Sequence, residues 1–532
     1  MQVKVFCAVM LGSLTLLGAT QKNARGNAPD VSRPNIVFFL ADDLGYGDPR
    51  CLNPDSKIPT PHMDRLADQG MTFTDAHSPS AVCSPTRYGI LTGRYCWRTS
   101  LQQGVLLPWD RPLIEPDRLT LPAMLKSHGY TTACVGKWHL GWDWPVRPGR
   151  PYPTELREIR AGRQPHMEDY ADFDFTQVIG NGPITRGFDS YFGTAVPNFP
   201  PYCFIEDDRT VGIPTVIKPS NMYGRPGPMV PGWSLEPILP TLTARAVTFI
   251  DRHAAQSKNQ PFFLYFASTA PHTPIVPDAP FQGESEAGPY GDLVHQVDWT
   301  LGQIMAALER NGLLDNTLVI MTSDNGSPAR AGDAHLHGED FVRVNTVTTM
   351  FGHHPNAPWR GMKADIWEGG HRVPLFVQWP DRIEAGSTSD ETVCHTDFMA
   401  TIAGILGHDL PDEAAEDSYD ILPAMRGQTT GRPIREATVH HSIRGVFSIR
   451  QNQWKLIPHL GSGGWTQPAV AEPKDGGPAG QLYDLSKDPG ETTNLWQERP
   501  DVVRQLTQLL EKYQQENRSV PHRAERARTK NG

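Results

Sequence analysis

The sequence predicts an α/β fold with a large mixed, mostly parallel sheet flanked by helices and a small C-terminal α+β subdomain. Four apolar runs alternate with helical patterns, as expected of strands that are buried on both faces of a sheet. Polar residues follow each run directly, and ligands bind at the carboxyl ends of strands in open α/β sheets. Beyond about residue 407, short strand patterns that end in one helix indicate the separate subdomain.

The first apolar run, 35–40, predicts a buried strand that leads into Asp42 and Asp43. Two adjacent carboxylates repel each other unless a cation holds them, although an Asp-Asp pair before glycine is more often a simple turn. The next functional segment, 83–92, predicts a helix, because Pro85 suits a first helical turn.

Cys83 is expected at the N-terminus of that helix, where free N–H groups and the helix dipole favour negative charge. The position predicts an acidified, reactive thiol. Arg87 lies one turn later on the same face, and a guanidinium beside a nucleophile suits an anionic substrate. The alternative is a buried structural cysteine, which is a common environment for free cysteine.

Three further apolar runs predict strands, which span 131–135, 261–266 and 317–321. The polar residues that follow them are Lys137, His139, His272, Asp324 and Asn325. The other predicted helices span 61–70, 120–128, 241–255, about 293–308 and 501–513. Polar clusters after four strands favour one shared site over four unrelated turns.

The segment Cys-x-Pro-x-Arg at 83–87, followed by Leu-Thr-Gly-Arg at 91–94, is the signature of type I sulfatases. From Pro34 to about Leu495, the chain resembles this family, which includes the arylsulfatases. The family belongs to the alkaline phosphatase superfamily. The resemblance implies an alkaline phosphatase-like catalytic domain over 33–407 and a C-terminal subdomain over 408–520. It also implies that a formylglycine-generating enzyme oxidises Cys83 to the aldehyde formylglycine.

The metal predicted for this site is a hard divalent cation, because the candidate ligands offer oxygen atoms. Those ligands are Asp42, Asp43, Asp324 and Asn325. The resemblance implies one calcium ion per chain, with the modified Cys83 and a sulfate oxygen completing its ligands.

The family motifs also imply the catalytic roles. Arg87 holds the aldehyde hydrate, Lys137 and Lys363 contact sulfate oxygens, His139 relays a proton of the hydrate, and His272 protonates the leaving oxygen. In the implied chemistry, one hydroxyl of the hydrate attacks sulfur and expels the alcohol. The other hydroxyl then loses its proton and expels sulfate, which regenerates the aldehyde.

Lys363 is the least regular of these matches, because Met362 stands where glycine is usual in the family. His335 and His337 are candidate substrate contacts, and solvated loop histidines are an equally good interpretation of them.

The N-terminus predicts a signal peptide over 1–20, because Lys4, the apolar run 5–17 and small residues occur in that order. The protein is therefore expected to be secreted or periplasmic, without a membrane span in its mature form. The net charge of −10 argues against a nucleic-acid partner. The sequence contains no CxxC motif, which argues against a cysteine-based zinc site. The spacing of the cysteines requires no disulfide.

The resulting hypothesis is a sulfatase acting on sulfated carbohydrates or aryl sulfates. Aromatic and arginine residues in the irregular region 142–240 favour a carbohydrate, without indicating which sugar. The first alternative is a phosphodiesterase or phosphonate monoester hydrolase of the same superfamily. The second is a non-catalytic sulfoglycan-binding protein, which predicts damaged catalytic residues.

Overall fold

The computed structural model describes residues 33–153, 165–332, 337–428 and 431–522. Its main element is a ten-stranded mixed sheet. In chain order the strands are β1 (Asn35–Asp42), β2 (Met71–Phe73), β3 (Thr131–Lys137), β4 (Ser190–Thr194), β5 (Phe204–Glu206), β6 (Arg209–Val211), β7 (Phe262–Pro271), β8 (Thr317–Ser323), β9 (Leu375–Gln378) and β10 (Ser387–Ser389). The order across the sheet is β10-β2-β9-β8-β1-β7-β3-β4-β5-β6, with β8, β1, β7, β3 and β4 parallel.

Helices cover both faces of this sheet, except that the last helix of the described chain packs on the C-terminal sheet. They are α1 (Pro61–Gln69), α2 (Cys83–Thr92), α3 (Leu121–Ser127), α4 (Ile238–Gln256), α5 (Gly288–Arg310), α6 (Thr346–Phe351), α7 (Glu368–His371), α8 (Phe398–Leu406), α9 (Leu422–Met425) and α10 (Pro500–Gln515). Alternate side chains of β1 point to opposite faces. Phe38 packs in the core formed with α2, α3 and α8, whereas Phe39 packs in the core formed with α1, α4 and α5. The sheet is therefore the middle of three layers.

The C-terminal part forms a four-stranded antiparallel sheet of β11 (Thr438–His441), β12 (Phe447–Gln451), β13 (Trp454–Ile457) and β14 (Gln481–Asp484). Helix α10 packs on it through Leu506 and Leu510. This sheet touches the loop before α2, because the Ala81 N–H donates to the His441 carbonyl at 3.0 Å. The C-terminal part thus supports the segment that carries Cys83.

The four predicted central strands and the predicted C-terminal sheet and helix are confirmed. The prediction of the region 142–240 as irregular was incomplete, because β4, β5 and β6 lie in it. These strands have only three to five residues, and pairing with neighbours in the sheet stabilises them more than their own sequence pattern does.

The predicted signal peptide over 1–20 lies outside the described residues. Among the described residues, no helix is long and apolar enough to cross a membrane. The six cysteines beyond residue 32 are all free thiols.

Candidate active site

The carboxyl ends of the neighbouring strands β1 and β8 bring four buried oxygen-bearing side chains together. Asp42 ends β1, and Asp43 follows it with a left-handed φ of 71°. The Asp43 N–H donates to Asp324 Oδ1 at 3.2 Å, and Asn325 Nδ2 donates to Asp43 Oδ1 at 2.7 Å. The parallel register of the two strands therefore joins residues that are far apart in the sequence.

These residues fit a hard divalent cation. Asn325 Oδ1 is buried and has no hydrogen-bond partner, which costs free energy unless a ligand such as a cation binds it. Asp42, Asp43, Cys83 and His272 each offer a ligand atom, and these atoms lie within 4.8 Å of one another. Because Asp42, Asp43, Asp324 and Asn325 offer only carboxylate and amide oxygens, this set suits calcium or magnesium better than zinc.

Cys83 is the first residue of α2, as predicted, and Gly93 ends the helix with φ at 65°. The Cys83 thiol donates to Asp42 Oδ1 at 3.7 Å, and Lys363 Nζ lies 3.4 Å from Cys83 Sγ. The expectation of an acidified thiol is wrong for this side chain. Burial, together with the Asp324 carboxylate, raises the pKa of Cys83 to about 12, so the unmodified thiol is a poor nucleophile.

Arg87 faces the carboxylates at the strand ends. Its Nε and one terminal nitrogen donate to Asp324 Oδ2 at 3.2 and 2.8 Å, and the other donates to the Lys137 carbonyl at 2.8 Å. Burial opposes its charge, but Asp324 and Asp42 outweigh burial and raise the pKa of Arg87. Arg87 therefore remains cationic beside the Cys83 segment.

Two lysines complete the charge balance. Lys137 Nζ donates to Asp42 Oδ2 at 2.7 Å, and Lys363 Nζ donates to Asp43 Oδ1 at 2.5 Å. Three cationic side chains thus balance the three buried carboxylates, and Asp42 pairs with both Lys137 and Arg87, the latter at 3.6 Å. A divalent cation added to this neutral set would leave the site positive, as the binding of an anionic substrate requires.

The two predicted histidines each present one nitrogen that carries no proton. His139 Nε2 donates to the Leu106 carbonyl at 2.9 Å, which leaves its buried Nδ1 without a partner. His272 Nδ1 donates to the Thr273 carbonyl at 2.6 Å, so that Nε2 is directed towards Asp43 Oδ2, 3.9 Å away. Burial, with the nearby lysines, holds the pKa of both imidazoles well below the usual range.

All predicted site residues therefore lie in one cluster, whereas the loop residue His337 does not join it. His335 lies outside the described residues. The His337 ring packs beside Phe341, with ring centroids 5.7 Å apart, and His337 is not in the cluster that offers metal ligands.

Sequence reasoning missed residues that lie around His139 and beside the segment that carries Lys363. Phe199 contacts His139 edge-on with ring centroids 5.8 Å apart, and the Arg225 guanidinium lies 4.9 Å from the Phe199 ring. Trp465, from the C-terminal part, lies beside Asp365. The glycine-rich run before Trp465 was the only available signal that its backbone approaches another segment closely.

Two family models and several known proteins match most of the chain. A family model described as Sulfatase matches residues 34–408, and one described as N-sulphoglucosamine sulphohydrolase, C-terminal, matches residues 362–516. The chain is 34% identical to the N-acetylgalactosamine-6-O-sulfatase of Bacteroides thetaiotaomicron, over 94% of this chain and 97% of that protein. It is 32% identical to arylsulfatase A of Homo sapiens, over 90% of this chain and 87% of that protein.

Solved structures also resemble the chain over most of its length. One structure, from work on the metabolism of multiple glycosaminoglycans by Bacteroides thetaiotaomicron, is 31% identical to the chain and superposes with a TM-score of 0.76. The match covers 90% of this chain and 99% of that one.

Proposed function

The chain belongs to the sulfatase family and hydrolyses sulfate esters, and from this we propose that its substrates are sulfated carbohydrates. We propose further that Cys83 is converted to formylglycine and that one calcium ion binds at Asp42, Asp43, Asp324 and Asn325. The protein is exported through a signal peptide over 1–20. The catalytic domain spans 33–407, and the C-terminal subdomain spans 408–520.

One observation carries the proposed mechanism. Arg87, Lys137 and Lys363 converge with three carboxylates around Cys83, the first residue of a helix whose N–H groups favour an anion. Such a site binds a tetrahedral anion at the atom that performs the reaction.

The modified side chain supplies a hydroxyl nucleophile when hydrated, and calcium supplies positive charge that favours its deprotonation. Lys137 and Lys363 both reach into the cluster, where they bind Asp42 and Asp43 respectively. With those carboxylates engaged by a metal ion, both ammonium groups would be free to donate to sulfate oxygens. Arg87, bound to Asp324, keeps its charge beside residue 83 and orients it.

His139 and His272 move protons. The free Nδ1 of His139 can accept a proton from the side chain at position 83 when sulfate is released. His272 is neutral in the resting site, so its Nε2 must take a proton from solvent water before it protonates the leaving oxygen. An anionic substrate favours this protonation because it adds negative charge nearby.

The substrate class rests on two supports. The relative from Bacteroides thetaiotaomicron is named for a sulfate on position 6 of N-acetylgalactosamine, and other relatives are arylsulfatases and steryl-sulfatases. The buried Phe199 ring lies against His139, and the half-buried Arg225 lies over Phe199, a pairing of aromatic and cationic groups that suits a sugar ring with polar substituents.

The test is a substrate panel with mass spectrometry of the peptide that contains Cys83. Protein co-produced with a formylglycine-generating enzyme should carry the aldehyde and hydrolyse sulfated sugars faster than aryl sulfates. An active protein with only unmodified cysteine would contradict the mechanism. Faster cleavage of a phosphodiester or phosphonate ester would favour the first alternative, and binding of a sulfated glycan without hydrolysis would favour the second.

A further inference from the structure

Arg330 and Trp465 lie in loops that connect strands of different sheets. The two loops meet beside the segment that carries Lys363. Arg330 lies in the loop after β8, and Trp465 lies in the loop between β13 and β14. The guanidinium carbon of Arg330 is 5.5 Å from the centroid of the Trp465 ring, within the range of a cation–π contact. The reaction described above uses neither side chain.

Asp365 anchors the loop that presents Trp465. Asp365 Oδ1 accepts the Trp465 N–H at 2.8 Å, and Asp365 Oδ2 accepts the Thr466 hydroxyl at 2.5 Å. Gly464 approaches the Ala364 carbonyl so closely that a Cβ atom would lie 2.4 Å from its oxygen. Because Asp365 is two residues beyond Lys363, this loop is fixed to the chain segment that carries a lysine of the anion site.

Backbone hydrogen bonds hold the loop that presents Arg330. The Lys363 N–H donates to the Ser327 carbonyl at 3.2 Å, the Ala329 N–H donates to Ser327 Oγ at 3.0 Å, and the Ala331 N–H donates to the Phe341 carbonyl at 3.1 Å. Arg330 Nε is buried without a hydrogen-bond partner. Among the described residues, no carboxylate forms an ion pair with Arg330, so its charge is available to a ligand.

We propose that Arg330 and Trp465 form a subsite for the sugar next to the sulfated one, and that this subsite selects a neighbour bearing a second anionic group. Both side chains are partly exposed. An indole face covers the apolar face of a sugar ring, and a guanidinium binds a carboxylate or sulfate through two parallel hydrogen bonds. This subsite rests on the proposed function, because the anion site at Cys83 and Lys363 places the reacting sulfate.

The test compares four substrates: nitrophenyl sulfate, a sulfated disaccharide with a neutral neighbouring sugar, the same disaccharide with a carboxylate on that sugar, and the same with a second sulfate. Arg330→Gln should lower kcat/KM about 10- to 100-fold on an acidic disaccharide, mainly through KM, since a hydrogen-bonded charge contact is lost. The kcat/KM for nitrophenyl sulfate and for the disaccharide with a neutral neighbouring sugar should not change. The acidic substrate with the larger loss identifies the anion that Arg330 binds.

Trp465→Ala should raise KM for all three disaccharides and leave nitrophenyl sulfate unchanged, whereas Trp465→Phe should retain part of the affinity. Arg343→Gln is the matched control, because Arg343 is an exposed arginine in the same chain segment that pairs with Asp340. It should behave as the wild type on all four substrates.

Equal losses on all four substrates would show that Arg330 only supports Lys363, and unchanged kinetics on both acidic disaccharides would also overturn the subsite. If the wild-type protein hydrolyses none of the four, the proposed function fails instead. Calorimetric binding of the acidic disaccharides to wild-type and Arg330→Gln protein then decides the subsite, and equal affinities would overturn it.

Discussion

Lys363 Nζ lies 3.4 Å from Cys83 Sγ and also donates to Asp43 Oδ1 at 2.5 Å. One ammonium group thus connects the side chain proposed to become formylglycine with the carboxylates proposed to hold calcium. Burial opposes its charge, but the carboxylate of Asp43 and its neighbours raise the pKa of Lys363, so that the lysine stays cationic. The contact places a positive charge where the transferred sulfuryl group is expected.

Replacement of Lys363 should therefore reduce catalysis strongly. Lys363→Met keeps the side-chain length and removes the charge, and it should lower kcat/KM by about 100- to 1000-fold, the usual effect of losing one donor to a developing anion. Lys487→Met is the control, because Lys487 is a solvent-exposed lysine paired with Asp484. Steady-state kinetics on one sulfated sugar give kcat/KM for both variants. A Lys363→Met variant with wild-type kcat/KM would remove Lys363 from the mechanism.

Removal of the metal should abolish activity, and calcium should restore it. Asn325→Leu removes the buried Oδ1 without a partner and should weaken calcium binding in calorimetry, as well as activity. Asn316→Leu is a matched control, because Asn316 Oδ1 is also buried without a partner but precedes β8, at the opposite end of the strand from Asn325.

Calcium affinity equal in wild type and Asn325→Leu would contradict the assignment of this ligand. Stoichiometric zinc in the pure active enzyme would contradict the choice of metal.

The two histidines should differ in their dependence on the leaving group. His272→Ala should lose much of the factor of about 100- to 10,000-fold that general acid catalysis provides when the leaving group is a sugar alkoxide. The same variant should lose noticeably less on nitrophenyl sulfate, because nitrophenolate leaves without a proton.

His139→Ala should slow both substrates to a similar extent, because release of sulfate no longer involves the alcohol. The measurement is kcat/KM of His139→Ala and His272→Ala on a sugar sulfate and on nitrophenyl sulfate. Equal dependence on the leaving group in the two variants would show that the roles are assigned wrongly.

Buried histidines between the two sheets should make stability depend on pH. The rings of His371 and His440 stack with centroids 3.8 Å apart, and His77 Nδ1 lies 3.0 Å from His371 Nδ1. Burial, with the neighbouring imidazoles, lowers the pKa of His440 well below its usual value. Lys455 and Glu368 also face this cluster.

A histidine held neutral in the folded protein is protonated when the chain unfolds below its ordinary pKa. Its stabilising effect is therefore present above about pH 6.5 and is lost as the pH falls below that value. His440→Gln should reduce the dependence of the free energy of unfolding on pH, by up to about 1.4 kcal/mol per pH unit for one proton. Denaturant unfolding at several pH values measures this slope.

His522→Gln, at an exposed position, is the control and should leave the slope unchanged. A steeper or unchanged slope in His440→Gln would contradict a neutral, buried His440.

The sequence was sufficient to predict the central strands and the residues of the candidate site. Long apolar runs such as β1 and β7 are buried on both faces, so their composition alone indicates their place in the sheet. Asp42, Asp43, Asp324 and Asn325 directly follow such strands, and parallel neighbours necessarily bring their carboxyl ends to one edge. The sequence therefore determined both the sheet and the position of the site.

Only the tertiary structure decided the protonation of the site and the contribution of the C-terminal part. The helix N-terminus predicted an acidic thiol at Cys83, but burial against carboxylates raises its pKa, because desolvation of a thiolate outweighs the helix dipole. Trp465 reaches Asp365 from a loop without a regular pattern, through backbone hydrogen bonds that any residue can form. Such a contact depends on how two sheets pack together, and no periodicity in the chain records it.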